Sequence, residues 1–269
     1  MELSPDTASF AAPSPKNAQL LKGAADPGGT AHHTMARLPR LYAPQIPQLV
    51  QARFARALDA TTQDANPTAI MDRLYTWLGD SAREHHVEVH GWSLVHDRLT
   101  LLATPPGPQA LPKLVQALGR RYAAQQRQGR VFAERYRSAL VEPGRWVLPA
   151  LIWLESLPAQ LSYVDRPEHW PWSSAAGHTG AAATAADWMV DHPDYWKDGN
   201  TPFDRQARYR ERLHAGLPDS QRQQIERALF GQWALGEAAF LQQLESQASR
   251  RPRPAPRGRP RKPAAPHSG

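Results

Sequence analysis

Residues 87–104 read VEVHGWSLVHDRLTLLAT, and the reading of this stretch decides the fold. Its first half, 87–95, is rich in β-branched and aromatic residues, and RLTLLAT at 98–104 is a compact apolar run; both have the composition and length of strands. Only His96 and Asp97 separate them, so the pair is expected to fold back as an antiparallel hairpin. Upstream, PQLVQARF at 47–54 supplies another strand, and Ile70, Leu74, Trp77 and Leu78 recur at helical spacing within 67–86. Downstream, Leu111, Leu114, Val115, Leu118 and Tyr122 mark a helix, YRSALVE at 136–142 a strand, and 145–157 a further helix. This order predicts an α+β sandwich, an antiparallel sheet with helices packed on it.

The flanks differ in kind. Residues 1–34 are rich in Ala, Pro, Gly and Ser without periodicity and are expected to be disordered, with Met35 offering an alternative start. An α+β domain then spans 35–174. The Gly/Ala/Thr-rich residues 175–183 read as a linker, 184–248 as a small helical region, and 249–269 as a disordered basic tail. Trp170 and Trp172 are expected to pack the closing turn of the first domain, and Trp188, Trp196 and Trp233 to form the core of the helical region.

The net charge is +7, and the tail accounts for it. Arg250, Arg251, Arg253, Arg257, Arg259, Arg261 and Lys262 face no acid within 249–269, which leaves the rest of the chain formally neutral. A tail of this kind seeks a polyanion. The absence of cysteine excludes disulfides, thiolate metal sites and a cysteine nucleophile, and fits a cytoplasmic location. No apolar run is long enough for a membrane span, and MELSPDTASF does not read as a secretory signal.

Within the tail, PAPRGRPRKP at 254–263 resembles an AT-hook. Gly258 lets the backbone approach a groove floor, Arg257 and Arg259 extend along it, Pro260 keeps the segment extended, and Arg261 and Lys262 add charge. A narrow A·T-rich minor groove has enhanced negative potential and favours inserted arginines, so an A·T-rich duplex is the expected partner.

The centre of the chain resembles the REP-associated tyrosine transposases, single-strand transposases of the HUH type. The resemblance rests on ARLPRLYAP, VHGWSLVHDRLTLLATP, LVQALGRRYAAQQRQGRVFAERYRSALVE, VDRPEHWPWSS and GQWALGEAAFLQQLE followed by RGRPRK, in that order, over about residues 36–262. It implies a ferredoxin-like sandwich, a single-stranded hairpin DNA as partner, and a divalent metal such as magnesium held by a His-x-His pair. It also implies a tyrosine nucleophile, with a polar residue one helical turn later. Here the His-x-His positions fall on Arg98 and Thr100, the nucleophile position on Trp153 and the polar position on Leu157. Indole cannot attack a phosphate, leucine cannot ligate a metal, and a guanidinium repels one. The expected catalytic set is therefore empty, with no metal and no cofactor.

The candidate replacements are His96 as a surviving ligand, the cluster His85, His86 and His90 as a metal site, and Tyr163 or Tyr122 as a displaced nucleophile. Each has a plainer reading as a packed or loop residue, and Asp97 and Glu155 are expected to be solvated. Binding chemistry survives in 105–133, which holds no acid but carries Lys113, Arg120, Arg121, Arg127 and Arg130. The four arginines are expected to contact phosphates and Tyr122 to stack on a base, with Arg98 gripping the phosphate once cut. The leading reading is a DNA-binding protein without cleavage activity. The alternatives are an active metal-dependent transposase with relocated residues, and a protein-interaction module with a non-specific basic tail. The oligomeric state stays open.

Overall fold

A computed structural model describes residues 39–59, 67–126, 129–182 and 186–254; the extension 1–34, the hook residues Arg257 to Lys262 and Arg127 lie outside the described residues. The chain runs β1 (Gln48–Arg53), α1 (Pro67–Glu84), β2 (Glu88–Val95), β3 (Arg98–Thr104), α2 (Ala110–Gln126), β4 (Arg137–Leu140), α3 (Val147–Glu155) and α4 (Leu157–Gln160). It continues through a 3-10 turn (Pro167–His169), α5 (Ala175–His178), α6 (Pro193–Trp196), α7 (Pro202–Ala215), α8 (Asp219–Gly231) and α9 (Ala238–Gln247). The strands form one antiparallel sheet in the order β2-β3-β1-β4. The units β1-α1-β2 and β3-α2-β4 each skip a strand, which is the βαββαβ arrangement of a ferredoxin-like sandwich.

Strand periodicity divides the core. Val50, Ala52, Leu99, Leu101 and Ala103 point to one face and pack against Ile70, Leu74 and Leu78 of α1 and Leu111, Leu114 and Leu118 of α2. Leu49, Leu102 and Ala139 point to the other and pack against Leu151 of α3, Tyr209 and Leu213 of α7, and Ile225 and Leu229 of α8. Both faces are therefore covered, and this explains why even the polar Gln48, Gln51 and Thr100 are buried. Trp170 and Trp172 anchor the closing segment, their indole N–H groups donating to the Leu94 carbonyl at 2.8 Å and to Asp72 at 2.9 Å.

Several local expectations need correction. Residues 175–182 are no linker: Ala175 and Thr179 are fully buried and His178 nearly so, because small residues let this segment sit tightly against the sheet. Trp188 belongs to the first core, tilted against Tyr75 and Trp92. Trp196 is 53% exposed, with the Arg205 guanidinium 4.0 Å from its ring centre. Trp233 is partly exposed beneath Arg250. The first residues of the tail are also ordered onto the body. The Ser249 amide donates to the Tyr42 carbonyl at 2.8 Å, its hydroxyl joins the Tyr42 amide and the Arg40 carbonyl, and the Pro252 carbonyl accepts from Ala234.

Glu155, expected in solvent, is fully buried. Its carboxylate accepts from His178 Nδ1 at 2.6 Å, from the Tyr209 hydroxyl at 2.7 Å and from the Ser174 hydroxyl. Asp191 Oδ1 stands 3.6 Å from His178 Nε2. Burial alone pushes the imidazole down, but the adjoining Glu155 and Asp191 carboxylates outweigh it and hold His178 up at about 9.

Two expectations follow from this packing. A Cβ at Gly91 would meet Leu151 Cδ2 at 2.3 Å, so Gly91→Ala forces the buried Leu151 side chain out of its place between α3 and β2; chemical denaturation should show a loss of about 1–3 kcal/mol. His178 keeps its proton in the fold above the ~6.5 of an unfolded imidazole, so its contribution is complete below about pH 6.5 and is lost as pH rises through about 9. Urea midpoints should fall across that window by an amount on the order of 3 kcal/mol in stability, and far less in Glu155→Gln.

Candidate nucleic-acid interface

Arg98, Thr100, Trp153 and Leu157, where the resemblance places a metal site and a nucleophile, offer no set of metal ligands. Arg98 and Thr100 share one face of β3, two residues apart. Arg98 donates from Nε and Nη2 to both carboxylate oxygens of Asp97, at 2.8 and 2.7 Å, and Arg53 stands 3.8 Å from the same carboxylate. That edge of the Arg98 fork is thus taken by a neighbouring acid rather than turned to a phosphate. Thr100 is fully buried, paired in register with Gln51 of β1 and Ser93 of β2. Trp153 and Leu157 are core residues, 5% and 7% exposed. A guanidinium, an indole and an isobutyl group supply no ligand, and one buried hydroxyl does not make a site for a divalent cation.

His90, His96 and Tyr163 have structural partners. Both ring nitrogens of His90 are hydrogen-bonded, to the Val190 carbonyl at 2.7 Å and to the Thr104 hydroxyl at 2.8 Å, and burial pushes its imidazole down. His96 bonds Asp59 at 3.0 Å and packs beside Tyr163. Tyr163 stacks on Trp170 at 5.2 Å and stays 38% exposed; burial, with Asp97 and Asp59, pushes its phenol up. His85 and His86 sit at the end of α1, where His86 adopts φ 51°.

The basic stretch resolves into residues with different fates. Arg40, Arg120, Arg130 and Arg135 line an open groove of about 570 Å³ between α2 and the segment 129–136. Arg40 lies 3.6 Å over the Tyr136 ring, and desolvation lowers its guanidinium. Arg130 donates to the Phe132 and Ala133 carbonyls, which fixes the turn beside it. The groove's acid, Glu134, is held by both ends of the Arg137 guanidinium, which leaves the lining strongly positive. Arg121 points elsewhere, bonding Asp80 at 3.2 Å and approaching Glu84 at 3.9 Å on α1. Tyr122 is not a stacking platform: it is 3% exposed and packs against Phe54, because its helical position faces the core.

Arg40 escaped the sequence reading, since it lies far along the chain from Arg120 and has no local pattern. The buried Glu155 did carry a signal, a single acid in the otherwise apolar helix VLPALIWLE. Among the described residues no helix is long and apolar enough to cross a membrane.

No family model matches the sequence, and no curated protein matches it. Among solved structures, the chain is similar to a REP-associated tyrosine transposase bound to a REP hairpin, with 11% identity and a TM-score of 0.46 over 58% of this chain and 93% of that one. It is also similar to a Deinococcus radiodurans R1 protein assigned as a transposase, with 17% identity and a TM-score of 0.29 over 45% of this chain and 89% of that one. Both scores lie below 0.5, so the fold rests on strand order and helix placement, which identify the chain as a ferredoxin-like α+β sandwich with its second sheet face covered by helices.

Proposed function

We propose that this chain is a DNA-binding protein that keeps the scaffold of a REP-associated tyrosine transposase and has lost its strand-cleaving chemistry. The observation that carries this reading is the groove lined by Arg40, Arg120, Arg130 and Arg135, whose acid is already neutralised by Arg137. Four cations along a concave surface suit a phosphate backbone, binding by charge and counterion release rather than by base readout. Loss of cleavage is supported by Trp153 and Leu157, packed in the core where the resemblance expects a nucleophile and its polar neighbour. The sequence resemblance points to a single-stranded hairpin DNA, and the Arg-Gly-Arg-Pro core of the tail adds preference for an A·T-rich duplex.

Fluorescence anisotropy on a labelled hairpin oligonucleotide tests the groove. The double variant Arg120→Ala/Arg135→Ala should bind at least about tenfold more weakly at fixed salt, and its salt slope should fall by about 2. Unchanged affinity and slope would remove the groove from the interface. The loss of chemistry is tested by incubating the protein with the same hairpin and magnesium or manganese. No covalent protein–DNA adduct is expected, and an adduct mapping to Tyr163 would establish the active alternative.

A further inference from the structure

Tyr163 lies just beyond α4, and its backbone is fixed there. Its amide donates to the Pro158 carbonyl at 3.0 Å, and Ser162 before it turns the chain with φ 59°. The ring is backed by Trp170, stacked at 5.2 Å with the planes 22° apart, and by His96 at 4.9 Å. Those two rings are only 6.0 Å from each other. Partners on opposite faces of Tyr163 would stand roughly the sum of the two distances apart, so both lie to one side of it. Tyr163 nevertheless keeps 38% of its surface exposed, and the neighbouring Leu161 37%. Trp170 is itself held by the bond from its indole N–H to the Leu94 carbonyl. The result is a rigid aromatic shelf at the surface, beside the β2–β3 turn.

The backbone joins this shelf to the basic groove. The Ala133 amide donates to the Arg53 carbonyl at 2.9 Å and the Ala55 amide to the Val131 carbonyl at 2.8 Å, so the groove wall borders residues 53–55. The Phe54 amide in turn donates to the Asp97 carbonyl at 2.9 Å, and the Leu58 amide to the His96 carbonyl at 2.8 Å. Groove wall, residues 53–58 and the β2–β3 turn are thus successive neighbours at one end of the sheet, a span on the order of 10 Å for two such spacings. The acids that act on the Tyr163 ring are already occupied. Asp59 bonds His96 at 3.0 Å, and Asp97 is shared by Arg98 and Arg53. Two guanidinium groups meet one carboxylate there, which leaves surplus positive charge on Arg53, whose side chain is 55% exposed.

Aromatic side chains hold single-stranded DNA by stacking on its bases. A base inside a duplex already has a neighbour on each face, so a shelf of this kind takes an unpaired one. Stacking uses the ring and not the hydroxyl. We propose that Tyr163 is the stacking platform for one unpaired base of the DNA whose phosphates occupy the groove, a reading that rests on the groove being the DNA site. Trp170 and His96 are positioning residues that keep the ring in place, and Arg53 offers its charge to the backbone between groove and shelf.

Anisotropy with the full chain and two labelled DNAs tests this: a hairpin with a short unpaired tail, and a blunt duplex with the same stem sequence. Tyr163→Ala should weaken binding of the tailed hairpin about tenfold and leave the blunt duplex within about twofold of wild type, while Tyr163→Phe should match wild type on both. 2-Aminopurine placed in turn in the loop and in the tail should be quenched at one of those positions by the wild type and by Tyr163→Phe, and not by Tyr163→Ala. Equal weakening on both DNAs, wild-type affinity of Tyr163→Ala for the hairpin, failure of Tyr163→Phe to match wild type, or no quenching at any position each overturns the platform. Arg120→Ala/Arg135→Ala should weaken both DNAs alike. Unchanged binding in that variant overturns the proposal through the groove, and is told apart from failure of the shelf because it leaves the effect of Tyr163→Ala on the ratio between the two DNAs in place.

Discussion

The buried carboxylate of Glu155 is the constraint on which the second half of this molecule depends. A charge withdrawn from water must be met by donors, and here they come from Ser174 before α5, His178 in α5 and Tyr209 in α7. These contacts tie α3, α5 and α7 to one point, and the apolar residues around it cover the second face of the sheet. The same packing encloses Thr100 and Trp153. Both residues therefore belong to the packed interior and not to an open site.

How much was legible in the sequence varied with the range of the interaction. Strand β3 runs over Arg98–Thr104, the span read from RLTLLAT, because alternation within a strand is a local property. The helices α1 and α2 follow equally from their apolar spacing. What escaped depends on partners remote in sequence. The residues 175–182 have a linker's composition, yet they are small because they must fit closely beneath other elements. Tyr122 lies within a basic run, but its helical phase turns it inward. Trp196 is large and aromatic, yet the chain leaves its face to Arg205 instead of the core.

Phase also divides the adjacent arginines of α2. Neighbouring residues on a helix point about 100° apart, so Arg121 meets the acids of α1 while Arg120 joins the groove. A count of basic residues treats the two as equal; only the neighbours separate a cation already neutralised from one open to a phosphate. Arg40 makes the converse point, brought to the groove from the far end of the domain by the packing of Leu41 and Ala43 against α9.

That end of the chain has a mechanical side. Ser249 clips the start of the tail to the backbone of Arg40 and Tyr42, a few residues ahead of β1. Strand β1 is hydrogen-bonded along both edges, to β3 and to β4. A pull on the tail from its far end would meet the Arg253–Glu245 pair, the Pro252–Ala234 bond and the Arg250–Gln232 bond before it reached Ser249. The tail is therefore released in stages, and the clip beside β1 is the last of them to carry load.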